Sequence, residues 1–235
     1  MPHVYHVFEV RRFPSRKKFG TTDQLQLLND VDQNMETCTT VIQLAAKNIV
    51  PGVARYDAEH EFLVRLQFLG RARGVRFQEF VSPYQFPVYL EERSGSTPNS
   101  VLVRTKAKVA HDFVRRLNKG VPDFAATDRM VDFDKLRPLL GTVSGAWFRD
   151  IQAAYLSAAG VFGPHVDKSE EFQHAEQIGK LRALTVAYPH GENTYSLMLT
   201  ETGSIVVFNA IEAEAHELEL VFNVKRSVLD KSWLA

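Results

Sequence analysis

The stretch "EFLVRLQFLGRARGVRFQEFV", residues 61–81, carries the clearest secondary-structure signal in the chain. Apolar and polar residues alternate over Val64–Phe68, and this period of two is typical of a strand with one buried face. Gly70 and Gly74 bracket a turn, after which the alternation resumes. The stretch therefore predicts a β-hairpin, and the rest of the fold is interpreted outward from it.

A second strand pair and a helix are predicted on the C-terminal side of this hairpin. The segments "FPVYLEER" and "VLVRTK", residues 86–93 and 101–106, are separated by the turn-forming sequence "SGSTPNS". The following segment "AKVAHDFVRRLNKG" has the periodicity of an amphipathic helix and ends at Gly120. Glycine is common at the end of helices, so the predicted helix ends there.

On the N-terminal side, a strand at about Val4–Arg11 and a basic loop precede an expected long helix. The segment "TTDQ" at Thr21–Gln24 has the spacing of a capping box, and Pro51-Gly52 provides a stop signal. Apolar residues spaced alternately three and four apart form one predicted stripe: Leu28, Val31, Met35, Cys38, Ile42, Ala45 and Ile49. We expect this helix to dock on the protein's own sheet rather than to form a coiled-coil dimer, because its flanking positions offer no opposite-charge pairs.

The second half of the chain predicts antiparallel strands between helices. Strand-like runs occur at about 144–152, 153–162, 181–189, 193–200 and 203–210, with a short helix before them and a terminal helix at about 212–229. Connections as short as "HGEN" and "ETG" require antiparallel neighbours. The predicted class is α+β: antiparallel sheets with helices packed on one face, including the long N-terminal helix. Two subdomains are expected, a basic one at 1–120 and an acidic one at 134–235, joined by a linker at 121–133.

Composition excludes several classes of protein. Hydrophobic residues make up 45% of the 235 residues and charged residues 24%, as in ordinary globular proteins. The single cysteine, Cys38, excludes an internal disulfide and a cysteine-rich zinc module. No apolar run approaches the roughly 18 residues of a membrane span, so we expect a cytoplasmic protein without a membrane partner. No phosphate-binding glycine loop, dinucleotide fingerprint or nucleophile elbow is present, so no cofactor is predicted.

The charged side chains are unevenly distributed along the chain, although the net charge is zero. Residues 1–120 contain 18 basic and 12 acidic side chains, whereas residues 121–235 contain 10 and 16. This asymmetry, +6 against −6, is typical of a chain with one module that faces a polyanion. The alternative interpretation is that the two halves attract each other or a second copy of the chain.

Basic side chains cluster at several points of the first half. If they share a face, they form an electrostatic footprint for a phosphate backbone, and the planar fork of arginine pairs well with phosphate oxygens. Such contacts position a nucleic acid without reading its sequence. The predicted nucleic-acid-binding residues are Arg11, Arg12, Arg16, Lys17, Lys18, Arg65, Arg71, Arg73, Arg76, Arg104 and Lys106.

The stretch "GPHVDKSEEFQHAEQ", residues 163–177, is the strongest candidate for site chemistry in the second half. We interpret it as a capped helix start, with Asp167 or Ser169 as the cap and acidic residues in the first turn. The alternatives are a charged partner-contact surface and a metal or acid/base site. The low-ranking metal candidates are His165, Asp167, Glu171 and His174, and no second Glu-x-x-His pair supports them.

Three hypotheses about function follow from these observations. The first is a non-catalytic module or accessory protein that binds DNA or RNA through the basic N-terminal half. The second is a protein–protein adaptor or homo-oligomeric scaffold that uses the complementary charges of the two halves. The third is a metal-dependent hydrolase or nuclease built on the 163–177 stretch. We favour the first, and enzyme activity stays open because active sites can be assembled from residues distant in sequence.

Overall fold

Antiparallel β-sheet dominates the computed structural model, which describes residues 2–27, 35–72, 75–92, 99–153 and 155–234. Strands contain 56% of the residues and helices 24%. The expected α+β class, with helices packed on one face of the sheets and a long N-terminal helix, is therefore wrong. The error has a physical cause in the segment before Pro51.

The described elements follow one another along the chain in a strand-rich order. The strands are β1 (His3–Arg12), β2 (Lys18–Gln26), β3 (Met35–Val50), β4 (Val53–Ala72), β5 (Val75–Glu91), β6 (Asn99–Arg104), β7 (Ala125–Asp128), β8 (Thr142–Ala153), β9 (Leu156–Phe162), β10 (Lys180–His190), β11 (Asn193–Thr200) and β12 (Ile205–Val207). The helices are α1 (Ala107–Gly120), α2 (Phe133–Leu136), α3 (Glu170–Ile178), α4 (Glu214–Val224) and α5 (Asp230–Ser232), with short 3-10 segments at Arg137–Leu139 and Val166–Lys168 and a π-helix at Lys225–Leu229.

The chain divides into two compact units. Unit 1 comprises Met1–Val7 with Asp128–Ala235, and unit 2 comprises Phe8–Thr127, so strand β1 contributes residues to both. Unit 2 contains 18 basic and 13 acidic side chains, and unit 1 contains 10 and 15. The excess of positive charge therefore belongs to unit 2.

In unit 2 the strands are ordered β2-β3-β4-β5-β6-β1, and β7 also pairs with β1. The predicted hairpin at residues 61–81 is confirmed as part of the β4–β5 pair. The predicted helix at residues 107–120 is also confirmed as α1. Its apolar residues, Val109, Phe113 and Leu117 among them, pack with the inward-facing side chains of the sheet into one core.

The predicted long N-terminal helix is instead the hairpin of strands β2 and β3. Residues at alternate positions of β3 are buried, namely Cys38, Thr40 and Ile42, which is the period of a strand. Leu28 and Val31 of the predicted stripe lie outside the described residues. The run from Thr39 to Ile42 is β-branched at every position, and such side chains favour a pleated sheet. The spacing of Cys38 and Ile42 fits both periods, so apolar spacing alone did not distinguish them.

The stop signal at Pro51-Gly52 is a hairpin turn rather than a helix end. Val50 and Val53 are paired across it, so the two residues between them form the whole connection from β3 to β4. Proline presets the φ angle at the first central position of a turn, and Gly52 has a φ of 77°, as its second position requires in a type II turn. A Pro-Gly dipeptide is found both after helices and in hairpin turns, so its presence did not indicate whether a helix or a strand precedes it.

In unit 1 the strands are ordered β1-β12-β11-β10-β8-β9. The three predicted C-terminal strands are confirmed as the antiparallel strands β10, β11 and β12. The predicted helix start in the 163–177 stretch is also confirmed, because the Ser169 hydroxyl accepts a hydrogen bond from the Phe172 amide at the beginning of α3. The Phe172 ring packs edge-on against Phe148 of β8, with ring centroids 5.3 Å apart. Among the described residues, no helix has the length and apolar content needed to cross a membrane.

Replacing Gly20 by Ala tests the corrected structure of the N-terminal region. A Cβ added at Gly20 would lie 2.3 Å from the backbone oxygen of Thr40 on the paired strand. We expect Gly20→Ala to lower the free energy of unfolding by about 2 kcal/mol, because a paired backbone cannot move aside cheaply. Gly141→Ala is the control, since its nearest atom would be 3.4 Å away. Urea denaturation measures both variants; equal stability would contradict the β2–β3 pairing, because a helix that begins at Thr21 tolerates alanine before it.

Candidate nucleic-acid interface

The pairing of β4 with β5 continues beyond the point where the pairing of β4 with β3 ends. In the described residues, the ladder between β3 and β4 ends at the pair Thr40 and His60, whereas β4 and β5 remain paired beyond that point. We call the two-stranded segment formed by Glu61–Ala72 and Val75–Pro83 the arm. The nine residues of its β5 side span about 30 Å at roughly 3.3 Å per residue.

At the middle of the arm, Arg65 is paired with Glu79. The two residues are register partners, and the Nε of Arg65 lies 2.6 Å from Oε1 of Glu79. The Glu79 side chain is 2% exposed and the Arg65 side chain 73%, so the carboxylate is buried and the guanidinium covers it from the solvent side. Arg65 is therefore partly neutralised within the protein.

Towards its tip, the arm carries arginine without acidic residues. The register shifts between Arg65 and Gly70, and Arg71 then lies directly opposite Arg76. Arg73 lies outside the described residues. The sequence from 66 to 78 contains these three arginines and no aspartate or glutamate. The tip therefore has a local charge of +3.

The remaining strand-end cations among the predicted residues lie elsewhere in unit 2. Arg11 and Arg12 are exposed at the end of β1, and the Nε of Arg11 lies 3.9 Å from a Glu9 carboxylate oxygen. Arg104 ends β6, and Lys106 precedes the first residue of α1. The ammonium group of Lys106 lies 5.8 Å from the ring centroid of Tyr84.

Three predicted cations belong to cavities near the first loop. Arg16 and Lys17 line a cavity of about 500 Å³, and Arg16 also forms an ion pair of 2.8 Å with Asp123. Lys18 lines a separate cavity of about 280 Å³, whose other charged residues are Asp57 and Glu59. The eleven predicted residues therefore divide into an arm group, a loop group and the strand-end group, rather than forming one described cluster.

The metal candidates of the 163–177 stretch lie at the start of α3. His165 is exposed with a φ of 53°, Asp167 lies in the 3-10 segment before the helix, and Glu171 and His174 are exposed on α3. Hydrogen bonds from its own backbone amide and from the Ser169 hydroxyl lower the pKa of Glu171. In the part of the chain that the structure describes, no three His, Cys, Asp or Glu side chains are grouped to hold a metal ion.

Sequence reasoning missed a buried polar network at the base of the arm. Nδ1 of His60 lies 2.8 Å from the Thr40 hydroxyl, and Nε2 lies 3.2 Å from an Asp112 oxygen. The same carboxylate oxygen is 2.9 Å from Nε of Arg116, and Arg115 pairs with the other oxygen. The network joins helix α1 to strands β3 and β4. It could not be found from the sequence, because its residues lie on three elements separated by up to 76 positions, from Thr40 to Arg116.

This network resembles the connectivity of a hydroxyl–histidine–aspartate catalytic triad, but its burial gives it a structural role. Thr40 is 0% exposed and His60 is 1% exposed, so a substrate cannot reach the hydroxyl. Burial alone would raise the pKa of Asp112, but the contact with His60, the hydrogen bond from Arg115 and the charge of Arg116 outweigh it and lower that pKa from 3.8 to about 2. Burial raises the pKa of the neighbouring Cys38 thiol, which is fully enclosed as expected for a cysteine of the core.

Comparison with known protein families found no family model that matches this chain, and no curated protein matches it either.

Replacing Asp112 by Asn tests the buried network. The variant leaves the guanidinium of Arg116, whose side chain is 1% exposed, without its buried counter-charge, so we expect a loss of about 3 kcal/mol in the free energy of unfolding at pH 7. The control is Asp134→Asn, which removes an ion pair with Arg137 three positions along the chain. Because the Asp134 carboxylate is 83% exposed, this variant should lose less than about 0.5 kcal/mol in the free energy of unfolding.

The same network predicts a pH dependence. The pKa of Asp112 is lower in the folded chain than its ordinary value of 3.8, so the unfolded chain binds a proton first as the pH falls. The stabilisation is therefore complete above about pH 4 and is lost between about pH 4 and pH 2. Denaturation of the wild-type and Asp112→Asn chains across this range should converge at low pH; a constant difference in stability would contradict the assignment.

Proposed function

We propose that this chain is a non-catalytic nucleic-acid-binding protein that contacts the phosphate backbone through the arm of unit 2. The observation that carries the proposal is the register that sets Arg71 directly opposite Arg76 in a ladder whose tip has no acidic residue. Like charges at directly opposite positions of an antiparallel pair disfavour the pairing. A phosphate group near the two positions supplies the missing negative charge and would turn this cost into binding free energy.

The shape of the arm supports the same proposal. A two-stranded β-ribbon fits the major groove of duplex DNA, and some DNA-binding proteins use such ribbons in this way. The described arm is a ribbon of two paired strands about 30 Å long by the spacing of its residues. The arm is therefore long enough for its basic end to contact a phosphate backbone while the core of unit 2 remains outside the groove.

The distribution of charge along the arm predicts which contacts matter. The charge of Arg65 is compensated by Glu79 at 2.6 Å, so Arg65 contributes less to binding than each of the three arginines of the tip. Arginine side chains donate hydrogen bonds in a planar fork that matches two phosphate oxygens. Contacts of this kind position a nucleic acid independently of its base sequence. We therefore propose affinity for DNA or RNA without strong sequence preference.

Direct binding at two salt concentrations tests the proposal. Labelled single-stranded and double-stranded DNA and RNA would be titrated at about 50 and about 200 mM salt. Binding through phosphate contacts releases counterions, so the affinity should fall steeply between the two concentrations. Absence of binding at both concentrations would refute the proposal and direct attention to a protein partner, for which a molecular mass that changes with ionic strength is the corresponding signal.

Removing the charges of the arm tip gives a residue-level test. We expect the combined replacement of Arg71, Arg73 and Arg76 by Ala to weaken binding to all sequences alike. The slope of log affinity against log salt should fall by roughly 2.7 if each arginine neutralises one phosphate on duplex DNA. Fluorescence anisotropy at several salt concentrations measures both quantities, and circular dichroism verifies that the variant is folded.

A matched control removes the same number of charges from unit 1. Lys168, Lys180 and Arg182 are exposed there, and their combined replacement by Ala also lowers the net charge by three. If binding depends on the arm rather than on the total charge, this control keeps the wild-type affinity and salt dependence. Equal weakening by both triple variants would remove the arm from the proposal.

A further inference from the structure

The cavity of about 500 Å³ in unit 2 has the size of a small-molecule site and a lining of unusual composition. We call it the loop pocket, because the first loop of the chain forms one wall. Its lining contains apolar and aromatic residues, and three of its four charged residues are basic. The charged and aromatic residues of the lining are Phe13, Arg16, Lys17, Lys47, Tyr56 and Glu92.

Two backbone hydrogen bonds fix the walls of the loop pocket. The amide of Leu44 on β3 donates to the carbonyl oxygen of Lys17 at 2.7 Å, which holds the loop against the strand. The amide of Glu92 donates to the carbonyl oxygen of Gly52 at 3.1 Å, which ties the end of β5 to the β3–β4 turn. Between them Asn48 has a φ of 54°, at an irregularity in the β3–β4 register. The concave shape is therefore built into the hydrogen-bonded frame of the sheet.

The basic side chains of the loop pocket are not fully compensated by the protein. Arg16 is paired with Asp123 at 2.8 Å. Within the described residues, neither Lys17 nor Lys47 has an ion-pair partner, and both side chains are exposed. Lysine ammonium groups at the edge of a cavity bind phosphate as point charges. The lining therefore has spare positive charge for an anionic group.

Part of the lining of the loop pocket is aromatic. The rings of Phe13 and Tyr56 have centroids 5.2 Å apart, and Phe13 also packs against Phe19 and Phe124. Tyr56 is 7% exposed, and no described residue forms a hydrogen bond with its hydroxyl group. Burial, with a further contribution from Glu92, raises the pKa of Tyr56, so the hydroxyl remains a donor at neutral pH. A tyrosine hydroxyl in the lining of a cavity can donate a hydrogen bond to a polar ligand.

We propose that the loop pocket binds a molecule in which a planar ring is joined to a phosphate, the chemistry of a nucleoside monophosphate. Lys17, Lys47 and the partly compensated Arg16 bind the phosphate. The ring lies against Phe13 and Tyr56, since aromatic faces stack on bases of every kind. The Glu92 carboxylate accepts a hydrogen bond from an amino group of the base, as acidic side chains do with exocyclic amines. This site is separate from the arm and does not depend on the function proposed for it.

Two sources offer this chemistry, a free nucleotide and the 5′-phosphorylated end of a nucleic-acid strand. Calorimetric titration of the arm variant, in which Arg71, Arg73 and Arg76 are Ala, separates them without interference from the arm. The probes are adenosine 5′-monophosphate, adenosine, and a short oligonucleotide with and without a 5′-phosphate. Tighter binding of the phosphorylated oligonucleotide than of the mononucleotide assigns the site to strand ends, and the reverse order assigns it to free nucleotides.

Single replacements test the assignment of residues in the full chain. We expect Lys17→Ala and Lys47→Ala each to weaken binding of adenosine 5′-monophosphate about tenfold, the usual effect of losing a charge-assisted hydrogen bond. Tyr56→Phe, which keeps the ring, should weaken it several-fold. Lys108→Ala is the control, because Lys108 is an exposed lysine of the same unit that does not line the loop pocket, and it should leave the affinity unchanged.

Three results would overturn the proposal. Adenosine that binds as tightly as its monophosphate would show that the lysines do not bind a phosphate. Equal weakening by Lys108→Ala and Lys47→Ala would reduce the effect to general charge attraction. Failure of the monophosphate and of the phosphorylated oligonucleotide to saturate the wild-type chain at millimolar concentration would show that the cavity is not a nucleotide site. The two proposals can fail separately. If the wild-type chain binds adenosine 5′-monophosphate but does not bind long nucleic acids through the arm, only the function proposed for the arm is refuted.

Discussion

The hydrogen-bond register between β4 and β5 is the constraint on which the organisation of unit 2 depends. Side chains alternate between the two faces of a strand, so a shift by one residue would move Tyr56, Ala58 and His60 out of the core together. Beyond the register shift between Arg65 and Gly70, the two strands pair again with Arg71 opposite Arg76. The apolar contacts at the root hold the two strands together, and the register shift within the arm determines that like charges face each other at the tip, a pairing that the tip alone does not favour.

The polar network of helix α1 lies where this hairpin leaves the sheet. His60 is the last residue of β4 that is paired with β3 in the described ladder, and it contacts Asp112 of α1. Asp112 in turn holds the buried Arg116. Apolar packing brings the helix to the sheet, whereas charged groups of this kind require one particular position along it, because an unpaired buried charge is costly. The helix is therefore fixed at the root of the arm.

The features that could be predicted from the sequence are those that depend on neighbouring residues. Alternation predicted the β4–β5 hairpin, helical periodicity predicted α1, and a hydroxyl followed by two glutamates predicted the start of α3. Strand β3 was missed, because the spacing of Cys38 and Ile42 suits a helix and a strand equally; the β-branched run from Thr39 to Ile42 favours the strand, and pairing with β2 and β4 forms it. Lys47, Tyr56 and the partners of His60 were missed for a related reason: the contacts that give them a role come from distant elements.

Strand β1 imposes an order of events on synthesis of the chain. The residues of unit 2 have all been made once Thr127 is added, but His3, Val4 and Tyr5 pair with Val207, Val206 and Ile205, which are translated much later. Until then the first residues of β1 have no β12 to pair with, and unpaired strand edges attract other chains. Incomplete translation products that end before Ile205 would therefore leave residues 3–5 of β1 without their β12 partners, which makes such products candidates for aggregation even when unit 2 has folded.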